Sequence, residues 1–153
     1  MDFSKAFDTV NHSCILHKLP FYGITDKELN WIADYLFNRE QYVNYDGTLS
    51  KPEKITHGVP QGSILGPLLF IILINDIETQ ISKCSMMMYA DDTVLFYSSN
   101  KIEDIENIIN AEAGKVNAWI KENCLLLNLK KGKTEFIIYG SRTPKSKCNI
   151  LIN

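Results

Sequence analysis

The chain has 153 residues with 16 basic and 18 acidic side chains, and its formal net charge is −2. This length supports one core of ordinary size, and the charge balance does not indicate the basic surface that holds polyanions. The four widely spaced cysteines argue against a zinc site or a disulfide framework. The longest apolar run, residues 64–74, is shorter than the roughly 20 residues that cross a bilayer. We therefore expect a soluble, intracellular protein without a membrane partner.

The N-terminal part of the sequence predicts two helices. Residues 1–8 predict the end of a strand and a turn, with Asp8 as the cap of the following helix. Apolar residues at helical spacing then predict a first helix that ends at residues 20–23. Residues 25–28 have the spacing of a capping box, which predicts a second helix to about Asn38.

The middle of the sequence predicts a loose hairpin, a loop and an apolar helix. The hairpin is expected over residues 41–57, around Asp46-Gly47. A loop rich in glycine and proline follows at residues 58–67. Its Gln61 amide can both donate and accept hydrogen bonds. We expect a buried helix after this loop, to about Gln80.

Two adjacent carboxylates, Asp91 and Asp92, lie between two short apolar stretches. These stretches predict a hairpin with the two carboxylates at its tip, because Asp is favoured at such turns. Side chains alternate along an extended chain, so only one of the two can point squarely at a bound ion. A metal site would need a further carboxylate, and Asp2 can supply it from the end of the first strand. A solvated hairpin tip is the simpler interpretation of the pair by itself.

The C-terminal part predicts a long amphipathic helix followed by two strands. Apolar residues at helical spacing extend over residues 102–120, and the strands are expected at residues 125–129 and 135–139. Residues 141–153 are polar and basic, which is typical of a linker or a truncated edge. The order of elements predicts an α+β fold with helices on one face of an antiparallel sheet.

Three segments, in this order, closely resemble the palm motifs of reverse transcriptases. They are DFSKAFDTV at residues 2–10, GVPQGSILGPLLF at residues 58–70 and YADDT at residues 89–93. The residues of these motifs resemble those of non-LTR, LINE-like retrotransposons. The resemblance implies a polymerase palm over residues 1–140, with an antiparallel sheet backed by helices on one face. It also implies that the fingers and thumb of a longer polyprotein lie outside this sequence.

The resemblance implies an RNA-directed DNA polymerase, a nucleotidyltransferase that uses two Mg²⁺ ions, for which Mn²⁺ can substitute. Asp2 and Asp91 match the two metal-bridging positions of the family, and Asp92 matches its third carboxylate. Lys133 best matches the lysine that protonates the pyrophosphate leaving group. The spacing leaves Lys131 as an alternative, and a solvated lysine turn as another.

The resemblance further implies which residues contact the nucleotide or the template: Phe3, Phe7, Gln61, Gly62 and Tyr89. Phe7 matches the aromatic gate below the sugar, although a core Phe would also suit this position. Gln61 matches the residue that contacts the templating base pair and the incoming nucleotide, with Gly62 allowing close approach. The loop could otherwise be only a helix entry. An RNA template, a DNA primer and deoxynucleoside triphosphates are the implied partners.

Three functional hypotheses follow from the sequence. The first is the active palm of a reverse transcriptase. The second is a catalytically inactive retrotransposon remnant with at most weak nucleic-acid binding, which the expected loss of fingers and thumb favours and the three intact carboxylates oppose. The third is a two-metal nuclease or phosphohydrolase, which explains neither the Gln61 loop nor Phe7.

Overall fold

The computed structural model describes residues 1–130, 132–140 and 148–151. The chain forms two compact units, a hairpin unit of Met1–Ala6 with Ile74–Asn153 and a loop unit of Phe7–Leu73. Lys131 and most of the predicted linker 141–153 lie outside the described residues. Among the residues described, no helix combines the length and the hydropathy that crossing a membrane requires.

The loop unit begins with helices. In chain order it has α1 (His12–Lys18), a 3-10 helix (Leu19–Tyr22), α2 (Asp26–Leu36), β1 (Glu40–Gln41), β2 (Asn44–Tyr45), β3 (Thr48–Leu49), β4 (Glu53–Lys54) and most of α3 (Leu65–Ile74). The Asn11 side chain caps α1 by accepting a hydrogen bond from the Cys14 main-chain nitrogen at 3.1 Å. The prediction that Asp8 caps this helix was therefore wrong, because Asn11 stands directly before the first helical turn.

The predicted loose hairpin is confirmed in two nested parts. Strands β1 and β4 pair antiparallel, and β2 and β3 pair antiparallel around the turn Asp46-Gly47. The core of the loop unit lies instead under the helices and the loop before α3. Its buried apolar side chains are Val10, Ile15, Leu19, Ile32, Leu36, Val59, Leu69, Phe70, Ile72 and Leu73.

Helix α3 is shorter and less buried than predicted. It ends at Ile74, and a separate 3-10 helix spans Ile77–Gln80. One side of α3 is exposed: Leu68 and Ile71 are each 50% exposed, and Ile64, which directly precedes the helix, is 94% exposed. These three residues follow helical spacing, so one side of this apolar segment has no cover within the described residues.

The hairpin unit contains β5 (Ser85–Tyr89), β6 (Asp92–Phe96) and the long helix α4 (Ile102–Glu122). The two strands pair antiparallel, from Ser85 opposite Phe96 to Tyr89 opposite Asp92. The turn is therefore Ala90-Asp91, and Asp92 is the first residue of the return strand. The predicted Asp91-Asp92 tip was one residue out of register, because Ala90 takes the positive φ of the turn, 52°.

Two further segments extend this hairpin. Met1 exchanges main-chain hydrogen bonds with Thr93, and Phe3 forms an antiparallel bridge with Leu127. The predicted strand 125–129 is thus represented by a bridge and by flanking hydrogen bonds. The described residues 135–139 form no strand, because an apolar run does not by itself provide a partner for the ladder of hydrogen bonds.

The sheet has one covered and one open face. Thr93 is 1% and Phe3 is 4% exposed on the covered side, where α4 packs against β6. On the open side, Tyr89 is 83% and Val94 is 54% exposed. These features confirm the predicted α+β class, with a helix behind one face of an antiparallel sheet.

Candidate active site

Asp2 and Asp92 lie opposite each other on neighbouring segments. The Met1 nitrogen donates to the Thr93 carbonyl oxygen at 2.7 Å, and the Thr93 nitrogen donates to the Met1 carbonyl oxygen at 3.1 Å. Such a mutual exchange defines a hydrogen-bonded antiparallel pair, so the next pair along the ladder joins Asp2 to Asp92. Directly opposite side chains lie on the same face of a sheet. Both carboxylates therefore belong to the open face.

Asp91 occupies a different position from Asp92. It is the second residue of the turn and is half-buried, while Asp92 is exposed at the start of β6. Within the described residues, no group of three or more His, Cys, Asp and Glu side chains is arranged to hold a metal ion. The structure thus brings Asp2 and Asp92 together and leaves Asp91 at the adjoining turn.

The Asp2 carboxylate also contacts two residues, Asn128 and Lys133. Its Oδ2 accepts a hydrogen bond from Asn128 Nδ2 at 2.8 Å and lies 3.9 Å from Lys133 Nζ. The Asn128 nitrogen also donates to the Asp2 carbonyl oxygen at 2.8 Å. The Thr134 hydroxyl donates to the Asn128 carbonyl oxygen at 3.0 Å, which ties the lysine turn to the same strand. Asn128 and Lys133 therefore restrain Asp2 from one side.

The open face beside these carboxylates is apolar. Its exposed side chains include Met87, Tyr89, Val94, Phe96 and Leu126. A flat aromatic ligand can stack on such a surface. Phe3, by contrast, is buried on the covered face opposite Leu127, so in this structure it belongs to the core and not to the open face.

In the loop unit, Gln61 and Gly62 form the middle of a turn. The Ser63 nitrogen donates to the Pro60 carbonyl oxygen at 3.2 Å, and Gly62 has a φ of +82°. A type II turn requires such a positive φ at its third residue, which glycine adopts without strain. A side chain added at Gly62 would meet nothing within 4 Å, so the backbone conformation explains this glycine within the chain. The turn leaves Gln61 exposed.

The Gln61 side chain is held by a carboxylate that the sequence interpretation left without a functional role. Gln61 Nε2 donates to Asp8 Oδ1 at 2.7 Å. The neighbouring main chains are also joined, because the Val59 nitrogen donates to the Phe7 carbonyl oxygen at 2.9 Å and the Gly58 nitrogen donates to the Val10 carbonyl oxygen at 2.8 Å. The loop before α3 is thus fastened to residues 7–10.

Gly58 makes this close approach possible. Its φ is +84°, and a Cβ atom at this position would lie 2.8 Å from the Asp8 carbonyl oxygen. The buried His12 side chain also holds Gly58 in place, since its Nε2 donates to the Gly58 carbonyl oxygen at 2.8 Å. Burial lowers the pKa of His12 below its usual range, with a smaller contribution from the positive charge of Arg39, while the hydrogen bond to Gly58 opposes both. His12 is therefore a neutral donor at neutral pH.

Phe7 is partly core and partly accessible. Its ring packs against the buried Phe70 ring of α3, with centroids 4.9 Å apart, and the residue stays half-buried. A groove of about 660 Å³ lies beside the loop and includes Asp8, Arg39, His57 and Gln61 in its lining. Arg39 Nη1 is buried there without a hydrogen-bond partner among the described residues.

Sequence reasoning missed the positioning contacts of Asp8, Asn128 and His12. Asp8 and Gln61 are 53 residues apart, and Asp2 and Asn128 are 126 residues apart, so no local pattern reveals either contact. The available signal was that Asp8 lies in the first motif, DFSKAFDTV, without an assigned chemical step.

Comparison with known proteins identifies the family. The family model "Reverse transcriptase (RNA-dependent DNA polymerase)" matches residues 1–151. The chain is 31% identical over 144 residues to "Probable RNA-directed DNA polymerase from transposon BS" of Drosophila melanogaster, with 86% of this chain and 15% of that protein covered. It is 32% identical over 139 residues to "RNA-directed DNA polymerase from mobile element jockey" of the same species, with 86% and 15% covered.

A third relative is more distant but is matched along the whole chain. It is "Retrovirus-related Pol polyprotein from type-1 retrotransposable element R2" of Popillia japonica, which is 25% identical over 167 residues, with 100% of this chain and 27% of that protein covered. The chain thus spans between about a seventh and a quarter of the length of these relatives. It belongs to the reverse transcriptase (RNA-dependent DNA polymerase) family, as its three motifs predicted.

Proposed function

We propose that residues 1–140 are the palm of an RNA-directed DNA polymerase, which joins deoxynucleotides to a DNA primer on an RNA template. The observation that carries the proposal is the cross-strand pair Asp2 and Asp92 on the open apolar face of a sheet. Like charges directly opposite each other destabilise a sheet. A cationic cofactor held by these carboxylates would offset this repulsion.

The donor set suits magnesium. Carboxylate oxygens are ligands that Mg²⁺ prefers, and magnesium sites use one or two protein carboxylates together with substrate phosphates. Asp2 and Asp92 on the open face, with Asp91 at the adjoining turn, supply such oxygens. In this proposal Asp2 and Asp91 take the two metal-bridging positions and Asp92 is the third carboxylate. Two Mg²⁺ ions, or Mn²⁺ in their place, would neutralise charge at the primer hydroxyl and at the leaving pyrophosphate.

The chain's own residues have separate tasks in this proposal. The open face with Tyr89 supports the primer terminus through stacking, and Phe7 limits the space below the sugar of the incoming nucleotide. Gln61, with Gly62, contacts the templating base pair. Lys133 protonates the leaving pyrophosphate, and it exchanges its 3.9 Å contact with Asp2 for a phosphate when substrate binds.

Tight binding of a template and primer relies on more basic surface than this chain offers, so we expect the chain alone to need high duplex concentrations. Its net charge is −2, whereas contact with nucleic-acid phosphates relies on Lys and Arg. This shortage supports a role for fingers and thumb segments of a longer polyprotein as partners of the palm.

Primer extension tests the proposal. The 153-residue chain is given a DNA primer annealed to an RNA template, Mg²⁺ and labelled deoxynucleotides, alongside Asp91→Ala and a control Asp34→Ala, which changes an exposed aspartate of α2. We expect template-dependent incorporation by the wild type and the control, and its loss in Asp91→Ala. Incorporation that survives in Asp91→Ala would contradict the assignment of Asp91.

The same assay separates the other hypotheses. Hydrolysis of the nucleic acid without added nucleotides, lost in Asp91→Ala, would favour a nuclease. Duplex binding without incorporation, at Mg²⁺ and Mn²⁺ concentrations that span the millimolar range, would favour an inactive remnant.

A further inference from the structure

We infer that Asp8 is a positioning residue for Gln61, and that it fixes which hydrogen-bonding groups of the Gln61 amide are presented to a nucleotide. This inference rests on the proposed function for the identity of the ligand. The contact itself is independent of that function. It is the 2.7 Å hydrogen bond from Gln61 Nε2 to Asp8 Oδ1 within the loop unit.

The chemistry of the pair removes an ambiguity in the amide orientation. An ionised carboxylate can only accept hydrogen bonds, whereas a glutamine amide can donate from nitrogen and accept at oxygen. Asp8 therefore selects the orientation in which the Gln61 nitrogen faces the carboxylate. The Oε1 acceptor and the second N–H of Gln61 are then left for a ligand. A residue at position 8 that both donates and accepts would allow either orientation.

Main-chain hydrogen bonds hold the two segments that carry Asp8 and Gln61 next to each other. Val59 and Gly58 are hydrogen-bonded to the main chain of Phe7 and Val10. Gly58 brings the loop so close to Asp8 that an added Cβ would lie 2.8 Å from its carbonyl oxygen. The distance between the two main chains is therefore set by the backbone, and the side-chain hydrogen bond only needs to orient the exposed Gln61 amide.

The surroundings favour a ligand and not a purely structural contact. Asp8 and Gln61 are both exposed, and both line the groove of about 660 Å³. Exposed polar pairs add little to stability, so the pair contributes little to the fold. Arg39 lines the same groove with a buried, unpartnered Nη1 among the described residues, and a guanidinium is suited to a phosphate.

The first test is kinetic. Asp8→Ala, Gln61→Ala and the double variant are compared with the wild type in primer extension, with Asp34→Ala as the matched control. We expect each single variant to raise the nucleotide KM on the order of tenfold with kcat nearly unchanged, since a binding contact is lost. The double variant should be no worse than Gln61→Ala, because coupled residues are not additive. Additive effects in the double variant would overturn the inference.

Asp8→Asn gives a sharper comparison. It keeps the size of the side chain and one acceptor oxygen, but its own amide can rotate and donate to Gln61 Oε1. We expect a KM between those of the wild type and Asp8→Ala. An Asp8→Asn variant with the wild-type KM would show that the carboxylate does not select the amide orientation.

The second test does not require activity. In the ¹⁵N-labelled chain, the Gln61 side-chain amide resonances should shift between the wild type and Asp8→Ala, because the carboxylate that accepts from Gln61 Nε2 is lost. Ser63→Ala serves as a control in the same loop, because the Ser63 hydroxyl hydrogen-bonds to the main chain of Pro60 and Gly66. Gln61 amide resonances that stay unchanged when Asp8 is replaced would overturn the inference. If no variant incorporates nucleotides but the shift is present, the proposed function fails and the positioning contact stands.

Discussion

Asp2 and Asp92 lie directly opposite each other on neighbouring antiparallel segments, with both side chains on the open face of the hairpin unit. Such a pair is unfavourable for stability, because two like charges face each other. Asn128 and Lys133 moderate this cost at Asp2, while Asp92 remains exposed. We propose that a cation bound at this face offsets this cost.

Asn128→Ala removes the amide that donates to Asp2 at 2.8 Å. Partners that orient a metal ligand are worth roughly 10–100-fold in metal affinity or activity. We therefore expect the Mg²⁺ concentration for half-maximal incorporation to rise on the order of tenfold or more, and the stabilisation by Mg²⁺ against urea to weaken in parallel. Thr134→Val is the control, because it removes only a hydrogen bond to the Asn128 main chain. Equal Mg²⁺ dependence in both variants would contradict the role of Asn128.

Phe7→Val shortens the side chain that we propose as the gate below the sugar. Ribonucleotide incorporation should rise relative to deoxynucleotide incorporation, measured as the ratio of kcat/KM values for the two substrates. Because Phe7 also packs against Phe70, we expect a loss of stability on the order of 1–2 kcal/mol, less than for a fully buried Phe. A stability loss with an unchanged substrate ratio would show that Phe7 is only a core residue.

Gly58→Ala tests how the loop is fastened to residues 7–10. The new Cβ would lie 2.8 Å from the Asp8 carbonyl oxygen at a φ of +84°, so we expect destabilisation on the order of 1–3 kcal/mol in urea unfolding. The matched control is Gly114→Ala in α4, where an added Cβ meets nothing within 4 Å. That change should stabilise the protein by about 0.5–1 kcal/mol, the cost of Gly in a helix. Destabilisation of equal size at both positions would contradict this description of the loop.

Glu112 is a buried carboxylate of α4 that makes stability depend on pH. It accepts hydrogen bonds from Lys115 Nζ at 2.7 Å and from the Ser82 and Lys83 nitrogens at 2.6 and 3.2 Å. The hydrogen bond from Lys115 is the largest cause that lowers the pKa of Glu112 to about 2; burial opposes it, and the two main-chain donors add to the lowering. The folded state therefore holds this proton less tightly than the unfolded chain.

The stabilisation from Glu112 is fully present above a pH of about 4.5 and is lost as the pH falls towards about 2. Glu112→Gln should lower the free energy of unfolding at pH 7 on the order of 1–3 kcal/mol and flatten its decline between pH 5 and 3. Glu122→Gln, at the exposed end of α4, is the control and should keep the wild-type pH dependence. A similar acid dependence in all three proteins would contradict this assignment.

Local spacing predicted the long helix α4 well. The periodic apolar residues placed α4 close to its observed bounds, Ile102–Glu122, because the pattern of one helical face depends only on residues a few positions apart. Features that depend on pairing were less predictable. The turn after Tyr89 was misplaced by one residue, since the strand register overrode the preference of Asp for turns.

Contacts between distant segments were not predictable from the sequence. Asp8 was expected at a helix cap, yet it binds Gln61, 53 residues away. The buried Glu112 gave no signal, because its acidic side chain lies in an otherwise amphipathic helix and its main-chain partners come from another segment. The predicted strand 135–139 is rich in apolar and aromatic residues but has no strand partner within the described residues.

The most direct test of the central claim compares stability and activity in Asp92→Asn. This change removes the repulsion with Asp2 and keeps the shape of the side chain. We predict that, without Mg²⁺, the variant is more stable to urea than the wild type by a few tenths of a kcal/mol, on the order expected for one like-charge pair. We also predict that Mg²⁺ stabilises the wild type but not the variant, and that the variant's incorporation is strongly reduced. A variant with wild-type incorporation and wild-type stabilisation by Mg²⁺ would contradict the proposal that the Asp2–Asp92 pair belongs to the metal-binding centre of a polymerase.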